Sequence, residues 1–492
     1  MSDTTMPRMT HDEILDGVPR GLYLGGRFRD AADGATLAVR DPATDEVLTE
    51  VASAGEADAR AALDAAVAAQ ADWAATPPRE RSEILRRAFG LIRRDAAKLT
   101  ALQSLEMGRA LPDSAAEVAY GAEFFRWFAE EAVRITGDYR RSPDGSSRLA
   151  VLRQPVGPAL AITPWNFPLA MGTRKIAPAL AAGCPIIVKP ASKTPLTMLH
   201  LAGLLDEAGV PAGVLSVLPA AHAGDVSALL DDPRLRKFTF TGSTEVGQML
   251  AARAAGSSMK VSLELGGNAP FVVFADADLD KAVAAVKGAK LRNGGQVCIA
   301  PNRFIVHESL AGEFAERVAA MFGELTVGPG TDPDTDLGPL ALAEQRDTVD
   351  RLVADAVDRG ARLRCGGVSG ESAGGYFVPA TVLDRVPADA DIVAEEIFGP
   401  VVAVRSFREV DEAIAMANDT AFGLAAYLFS ENLGTALDAA ERIEAGMVAV
   451  NKGGLSDASA PFGGVKQSGL GREGGPTGID EFLETKLISL EG

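Results

Sequence analysis

From residue 156 onward the chain alternates short, continuous apolar runs with helical patterns, and this constrains its fold more than any other feature. ALAIT, CPIIVK, GVLSVL and KFTFTG are apolar on successive residues, so a strand built from them has no face suited to water. Helical segments such as 196–208 and 223–230 lie between them. Strand–helix–strand order with such strands predicts a parallel sheet covered by helices on both sides. A second round begins near Lys260, with FVVF, a helix over 278–291, RFIVH, a helix over 309–322, and later VVAVRSF, AAYLFS and MVAVN. The chain therefore reads as α/β with two sheets, which suits a length of 492 residues, too many for one small core.

Ahead of this region, Gly25-Gly26 separates the β-like runs GLYLGG and ATLAVRDPAT, as a hairpin turn would. From Ala57 to about Ala132 apolar residues recur at three- and four-residue spacing, with breaks at Pro77-Pro78 and Pro112, which predicts helices. Tyr139 to Gln154 reads as two polar strands around the Pro143-Asp144-Gly145 turn. The chain closes on an alternating strand, FLETKLISL, placed to pair with another edge.

Charge narrows the possible partners. Forty-eight basic against 67 acidic side chains give a net charge of −19, which argues against nucleic acid and against anionic membrane. A small anionic substrate then needs a local basic pocket. Cys184, Cys298 and Cys365 are too few for a disulfide framework, and Cys184 sits in an apolar run as a small buried hydrophobe. His11, His200, His222 and His307 show no metal-ligand spacing to the cysteines, so no metal site is expected. The opening MSDTTMPRMTHDE has no apolar signal core and no window of 18 residues is apolar and uncharged, so a cytoplasmic protein is expected.

Five segments carry chemistry. Cys298 follows Gly-Gly-Gln in RNGGQVC; a lone cysteine is often a small core residue, but backbone amides can activate a thiol, and glycine lets a ligand approach. Glu264 ends an apolar strand in VSLELGG, where it is either a desolvated general base or a cap on the next turn. In TPWNFP, two prolines fix Trp165 and Asn166, and an amide held there can donate to an oxyanion or simply pack. FTGSTEVG and IIVKPAS both read as strands ending in turns, with Gly242 and Ser243 offering amides to a phosphate and Lys189 reaching ribose or phosphate oxygens. Neither a G-x-G-x-x-G nor a G-x-x-x-x-G-K-S/T motif is present.

Taken in series, TPWNFP, VKPAS, FTGSTEVG, LELGG, GGQVC, EEIFGPV and PFGGVKQSGLGRE resemble the motifs of the aldehyde dehydrogenase superfamily across essentially the whole chain. The resemblance implies an aldehyde oxidised to an acid with NAD or NADP. It implies Cys298 as nucleophile, Glu264 as the base that activates water, Asn166 in the oxyanion hole, and Lys175 linked to that network. Trp165, Lys189, Gly242, Ser243, Glu396 and Phe398 fall at cofactor positions. It also implies a Rossmann-like cofactor domain over 1–135 and 156–257 and an α/β catalytic domain over 258–475. A small β oligomerisation arm takes 136–155 and 476–492 and pairs across subunits in a homodimer or homotetramer.

At the position where many NAD-preferring members carry a glutamate, this chain has Ser192 followed by Lys193, which suits the 2′-phosphate of NADP unless Lys193 points to solvent. Within the superfamily the succinate-semialdehyde dehydrogenase group is most similar, and Arg174, Arg292 and Ser456 match its carboxylate contacts. The second cysteine found in some members is Ala300 here, and CIAPNRF departs from the CVCANR-like version of that group. Other ω-carboxy semialdehydes, uncharged aldehydes, acyl transfer to coenzyme A and a catalytically silent structural member are the alternatives. An intact Glu264 favours water over coenzyme A.

Overall fold

The computed structural model describes residues 9–370 and 374–491. Two large sheets dominate among them. The first has eight strands, ordered Gly469–Leu470, Lys260–Glu264, Lys237–Thr241, Ala159–Ile162, Ile186–Lys189, Leu215–Val217, Leu22–Tyr23 and Phe28–Arg29. The middle five run parallel, while the two N-terminal strands and Gly469–Leu470 are antiparallel additions at the edges. Ala159–Ile162, Ile186–Lys189 and Lys237–Thr241 are buried at every residue, as unbroken apolar runs require. One apolar core forms on each side, built around Phe124, Phe125 and Leu180 on one face and Phe238, Ile187 and Leu63 on the other.

The second sheet has seven strands, ordered Arg362–Cys365, Thr381–Asp384, Val401–Phe407, Pro301–His307, Ala269–Val273, Ala425–Phe429 and Met447–Val450. The expected division at 257/258 is corrected by these pairings. Lys260–Glu264 lies parallel to Lys237–Thr241 in the first sheet, and the chain crosses to the second only after Gly266-Gly267. Apolar pattern identifies a strand but not the sheet it joins.

The helical stretch resolves into Glu56–Ala75, Pro78–Arg94, Ala96–Met107 and Leu111–Glu131, with Pro78 and Pro112 in the first turns, where a missing N–H costs no helical bond. The helix expected over 278–291 is α only over Leu279–Val286 and widens to a π-helix over Lys287–Leu291. The C-terminal strand Leu483–Glu491 is not an orphan. It pairs antiparallel with Ser147–Pro155 of the same chain, which pairs in turn with Asp138–Arg141.

Candidate active site

The carboxyl ends of four adjacent parallel strands converge. Ile162 leads into Thr163 to Asn166, Lys189 ends its own strand, Thr241 leads to Gly242-Ser243, and Glu264 stands beside Thr241 in register. This is where open α/β sheets hold ligands. The second sheet faces this edge with the segments leading into Pro301–His307 and Val401–Phe407, which carry Cys298 and Glu396 to Phe398. A cavity of about 290 Å³ lies between them, bordered by Trp165, Asn166, Gly242, Ser243, Cys298, Glu396 and Phe398, with Met171 and Thr241 beside them.

The Cys298 segment is shaped by backbone constraints. Asn293, Gly294 and Gly295 take φ of 56°, 61° and 77°. A Cβ on Gly295 would lie 2.2 Å from the Gly399 carbonyl oxygen. The glycine is thus needed for packing of one backbone on another, and not for a ligand's approach as expected. Gln296 is buried; its Oε1 accepts from the Ala341 N–H at 2.9 Å and its Nε2 donates to the Asn293 carbonyl at 3.0 Å. Asn166 Nδ2 donates to the Gln296 carbonyl at 3.0 Å, and Asn293 Nδ2 donates to the Asn166 carbonyl at 2.9 Å. These bonds fix Asn166 to the Cys298 segment and leave its second amide hydrogen free to donate.

Below the cavity lies a buried ionic cluster. Cys298 Sγ donates to Glu264 Oε1 at 3.1 Å. Glu264 Oε2 is ion-paired with Arg174, whose Nε pairs with Glu473. Lys175 Nζ donates to Glu473 and to Thr241 Oγ1, the latter at 2.6 Å. Burial, and then the Glu264 charge, push the Cys298 thiol well above its ordinary range. Burial lowers Lys175; it works against the charge of Arg174 as well, but Glu473 and Glu264 outweigh it and hold that guanidinium firmly charged. Glu264 is therefore a paired carboxylate, and Arg174, expected to face a substrate carboxylate, pairs with two of the protein's own. Its guanidinium carbon also sits 4.4 Å from the Phe462 ring centroid.

Arg292 and Ser456 come together, with Arg292 Nη1 donating to Ser456 Oγ at 3.5 Å and the guanidinium 5.3 Å from the Phe167 ring centroid. They border two further cavities. Arg292 lines one of about 350 Å³ with Tyr427, and Ser456 lines one of about 560 Å³ with Tyr120 and Trp127. On the cofactor side, Trp165 and Phe398 meet edge to face at 5.5 Å. Burial pushes Glu396 up to about 8, and its Oε1 accepts from the Gly267 N–H at 3.3 Å. Lys189 is buried, donates to the Pro190 carbonyl at 3.2 Å, and is lowered by burial to about 8. Ser192 is half-buried in the following turn. Lys193 is exposed and borders a different cavity with Arg40 and Glu344.

Residues 28–488 match the model of the aldehyde dehydrogenase family. The chain belongs to the aldehyde dehydrogenase family. It is 53% identical over 445 residues to a succinate-semialdehyde dehydrogenase of Paenarthrobacter nicotinovorans, covering 90% of this chain and 99% of that one. It is 45% identical over 471 residues to a glutarate-semialdehyde dehydrogenase of Pseudomonas aeruginosa, covering 96% and 97%. The crystal structure of an NADP dependent enzyme of E. coli superposes with a TM-score of 0.95 at 44% identity, covering 96% of this chain and 98% of that one.

Three supporting residues of this aldehyde dehydrogenase carried no assigned role in the sequence. Glu473 lies inside the quoted GLGRE motif, yet only the fold shows it against Arg174 and Lys175. Arg109 and Glu117 form a buried ion pair; Arg109 also donates to the Asn166 carbonyl at 3.4 Å. Glu117 Oε1 accepts from the N–H groups of Leu169 and Ala170, both at 2.8 Å, and so caps the helix Ala170–Ala182 that carries Arg174 and Lys175. Arg109 lies in the turn between Ala96–Met107 and Leu111–Glu131, so no helix face joined it to Glu117 in the sequence. Among the described residues no three His, Cys, Asp or Glu side chains form a metal-ligand group, and no helix is long and apolar enough to cross a membrane.

Proposed function

We propose that this aldehyde dehydrogenase oxidises a short aldehyde carrying a distal carboxylate, with succinic semialdehyde going to succinate, through a thioester on Cys298 and with NADP+ preferred to NAD+. The observation that carries the reading is the Cys298–Glu264 contact beside Asn166, in a chain 53% identical to a succinate-semialdehyde dehydrogenase.

Each residue has a task. The Cys298 thiol gives up its proton to solvent and its sulfur adds to the aldehyde carbon. The oxyanion accepts from Asn166 Nδ2 and the Cys298 N–H, fixed donors that need no reorganisation. NADP+, when bound, supplies the acceptor for the hydride that leaves this carbon. Glu264 then takes a proton from water, the hydroxyl oxygen adds to the thioester carbonyl, and the thiolate leaves as the acid is released. Residues on both walls fit the cofactor. Thr244 Oγ1, at the start of helix Thr244–Ala255, is buried without a partner. A Cβ on Gly266 would lie 3.3 Å from it and 2.9 Å from Glu396 Oε2. A hydroxyl and free helix amides for a phosphate thus stand near a carboxylate for ribose hydroxyls.

The NADP+ preference is supported by Ser192 in place of a carboxylate and by the likeness to an NADP dependent enzyme. Arg292 with Ser456 supports the distal carboxylate, and Arg174 is the third group proposed to meet it. Likeness to a glutarate-semialdehyde dehydrogenase supports a longer ω-carboxy semialdehyde as the second reading. The test is kcat/KM with NADP+ for succinic semialdehyde, glutaric semialdehyde and butyraldehyde, with and without coenzyme A. Two charge-assisted contacts of roughly 1.5–3 kcal/mol each predict on the order of a hundredfold preference for succinic semialdehyde over butyraldehyde. Equal use of the two, or dependence on coenzyme A, would overturn the proposal.

We further infer a homodimer or dimer of dimers. The three-stranded sheet leaves Leu483–Glu491 as an open edge with Leu487 and Leu490 exposed, which pairing with a second copy would cover. Light scattering that finds only monomer at micromolar concentration would contradict this.

A further inference from the structure

We propose that Arg174 is a positioning residue that exchanges partners during turnover: paired with Glu264 it holds that base back, and the distal carboxylate of the substrate draws it away. The inference rests on the proposed carboxylate substrate and adds to it a reason why the carboxylate governs rate as well as binding.

In the arrangement described, Glu264 has no oxygen to spare. Oε1 accepts from the Cys298 thiol and Oε2 is ion-paired with Arg174. With both oxygens engaged, Glu264 presents neither to a water until Arg174 leaves Oε2. The thiol bonded to Oε1 is itself held in the protonated form by burial. The Arg174 charge favours the thiolate of Cys298, so its restraint falls on Glu264 alone.

Arg174 is built to let go. Its Nε pairs with Glu473, so its charge keeps a partner when the terminal nitrogen leaves Glu264. A second position is marked by Tyr120, whose buried hydroxyl lies against Arg174 and within reach of the Arg292 charge. Tyr120 borders the 560 Å³ cavity together with Ser456, which accepts from Arg292. An anion lodged beside Arg292, Ser456 and Tyr120 would therefore compete with Glu264 for Arg174. An uncharged aldehyde offers no such competition and leaves Glu264 restrained.

The experiment cuts the substrate in two. Acetaldehyde and acetate correspond to the halves of succinic semialdehyde divided at its central carbon–carbon bond. In the wild-type enzyme with saturating NADP+, acetate is expected to raise kcat for acetaldehyde saturably, by on the order of tenfold, as Glu264 is released to hold water. Arg174→Gln is expected to raise kcat for acetaldehyde without acetate and to lose the response to acetate. Should Arg174→Gln fail to fold, the acetate response of the wild type decides alone. No activation by acetate in an enzyme that still prefers succinic semialdehyde to butyraldehyde would overturn the exchange while leaving the substrate proposal intact; loss of that preference would overturn the substrate proposal itself.

Discussion

Cys298 Sγ donates to Glu264 Oε1 across 3.1 Å, so the nucleophile and the group proposed to activate water are joined by one hydrogen bond. The bond has a cost for the thiol. It stabilises the protonated sulfur and places a negative charge next to the thiolate that must form. Glu264 thus raises the thiol's affinity for its proton until that proton is transferred.

Alkylation of Cys298 by iodoacetamide reports this directly. The rate is expected to climb with pH through and beyond the ordinary thiol range, since burial and Glu264 both push the group up. Glu264→Gln removes the charge, so its profile is expected to shift to lower pH. Peptide mass spectrometry separates Cys298 from the buried Cys184 and from Cys365. An unchanged profile would show that Glu264 does not control the thiol.

Glu396 sets a pH dependence of stability. Its carboxyl is raised from 4.5 to about 8 in the folded chain, so folded protein keeps a proton that unfolded protein releases. The contribution is full below pH 4.5 and is lost as pH rises through 8. Across that window Tm of the wild type is expected to fall relative to Glu396→Gln, which cannot ionise. Parallel Tm curves for the two proteins would contradict the shift.

The Arg109–Glu117 pair holds the site from behind. Arg109→Met leaves Glu117 as a buried carboxylate without its cation, which typically costs about 3–5 kcal/mol. Urea unfolding is expected to show that loss. Because Arg109 also donates to the Asn166 carbonyl, kcat is expected to fall more than KM rises. A stability loss with no change in kcat would restrict Arg109 to scaffolding.

Cofactor choice is tested at Ser192. Ser192→Glu places a carboxylate where a 2′-phosphate is proposed to sit, and like charges in a partly dry site cost on the order of 1–3 kcal/mol, roughly tenfold or more in affinity. The ratio of kcat/KM for NADP+ to that for NAD+ is expected to fall accordingly. A wild type that already strongly prefers NAD+ would refute the reading of Ser192 and Lys193.

Much of this was legible in the sequence because strand character and turn chemistry are local. The runs ALAIT, CPIIVK and KFTFTG became buried parallel strands, and the segments after them carry Asn166, Lys189 and Ser243 to one edge. Pairing between distant segments was not legible. Lys260–Glu264 has the same apolar texture whichever sheet it joins, and its partner is set by the register Thr241↔Glu264. Arg174 meets Glu264 across 90 positions of sequence, and Lys175 meets Glu473 across 298. An arginine that matches a substrate contact gives no sign in one dimension that two of the chain's own carboxylates compete for it. The terminal strand likewise read as pairing across subunits because nothing local names Ser147–Pro155 of its own chain as its partner.

The most direct measurement of the account is the fate of Cys298 in Glu264→Gln enzyme. Mixed with succinic semialdehyde and NADP+ and quenched within the first turnovers, this variant is expected to form one equivalent of NADPH per active site in a burst. Peptide mapping by mass spectrometry is expected to find the added mass of one succinyl group on Cys298, persisting because deacylation has lost its base. NADPH formed without acylation of Cys298, or an acyl group carried on any other residue, would contradict the mechanism proposed for this aldehyde dehydrogenase.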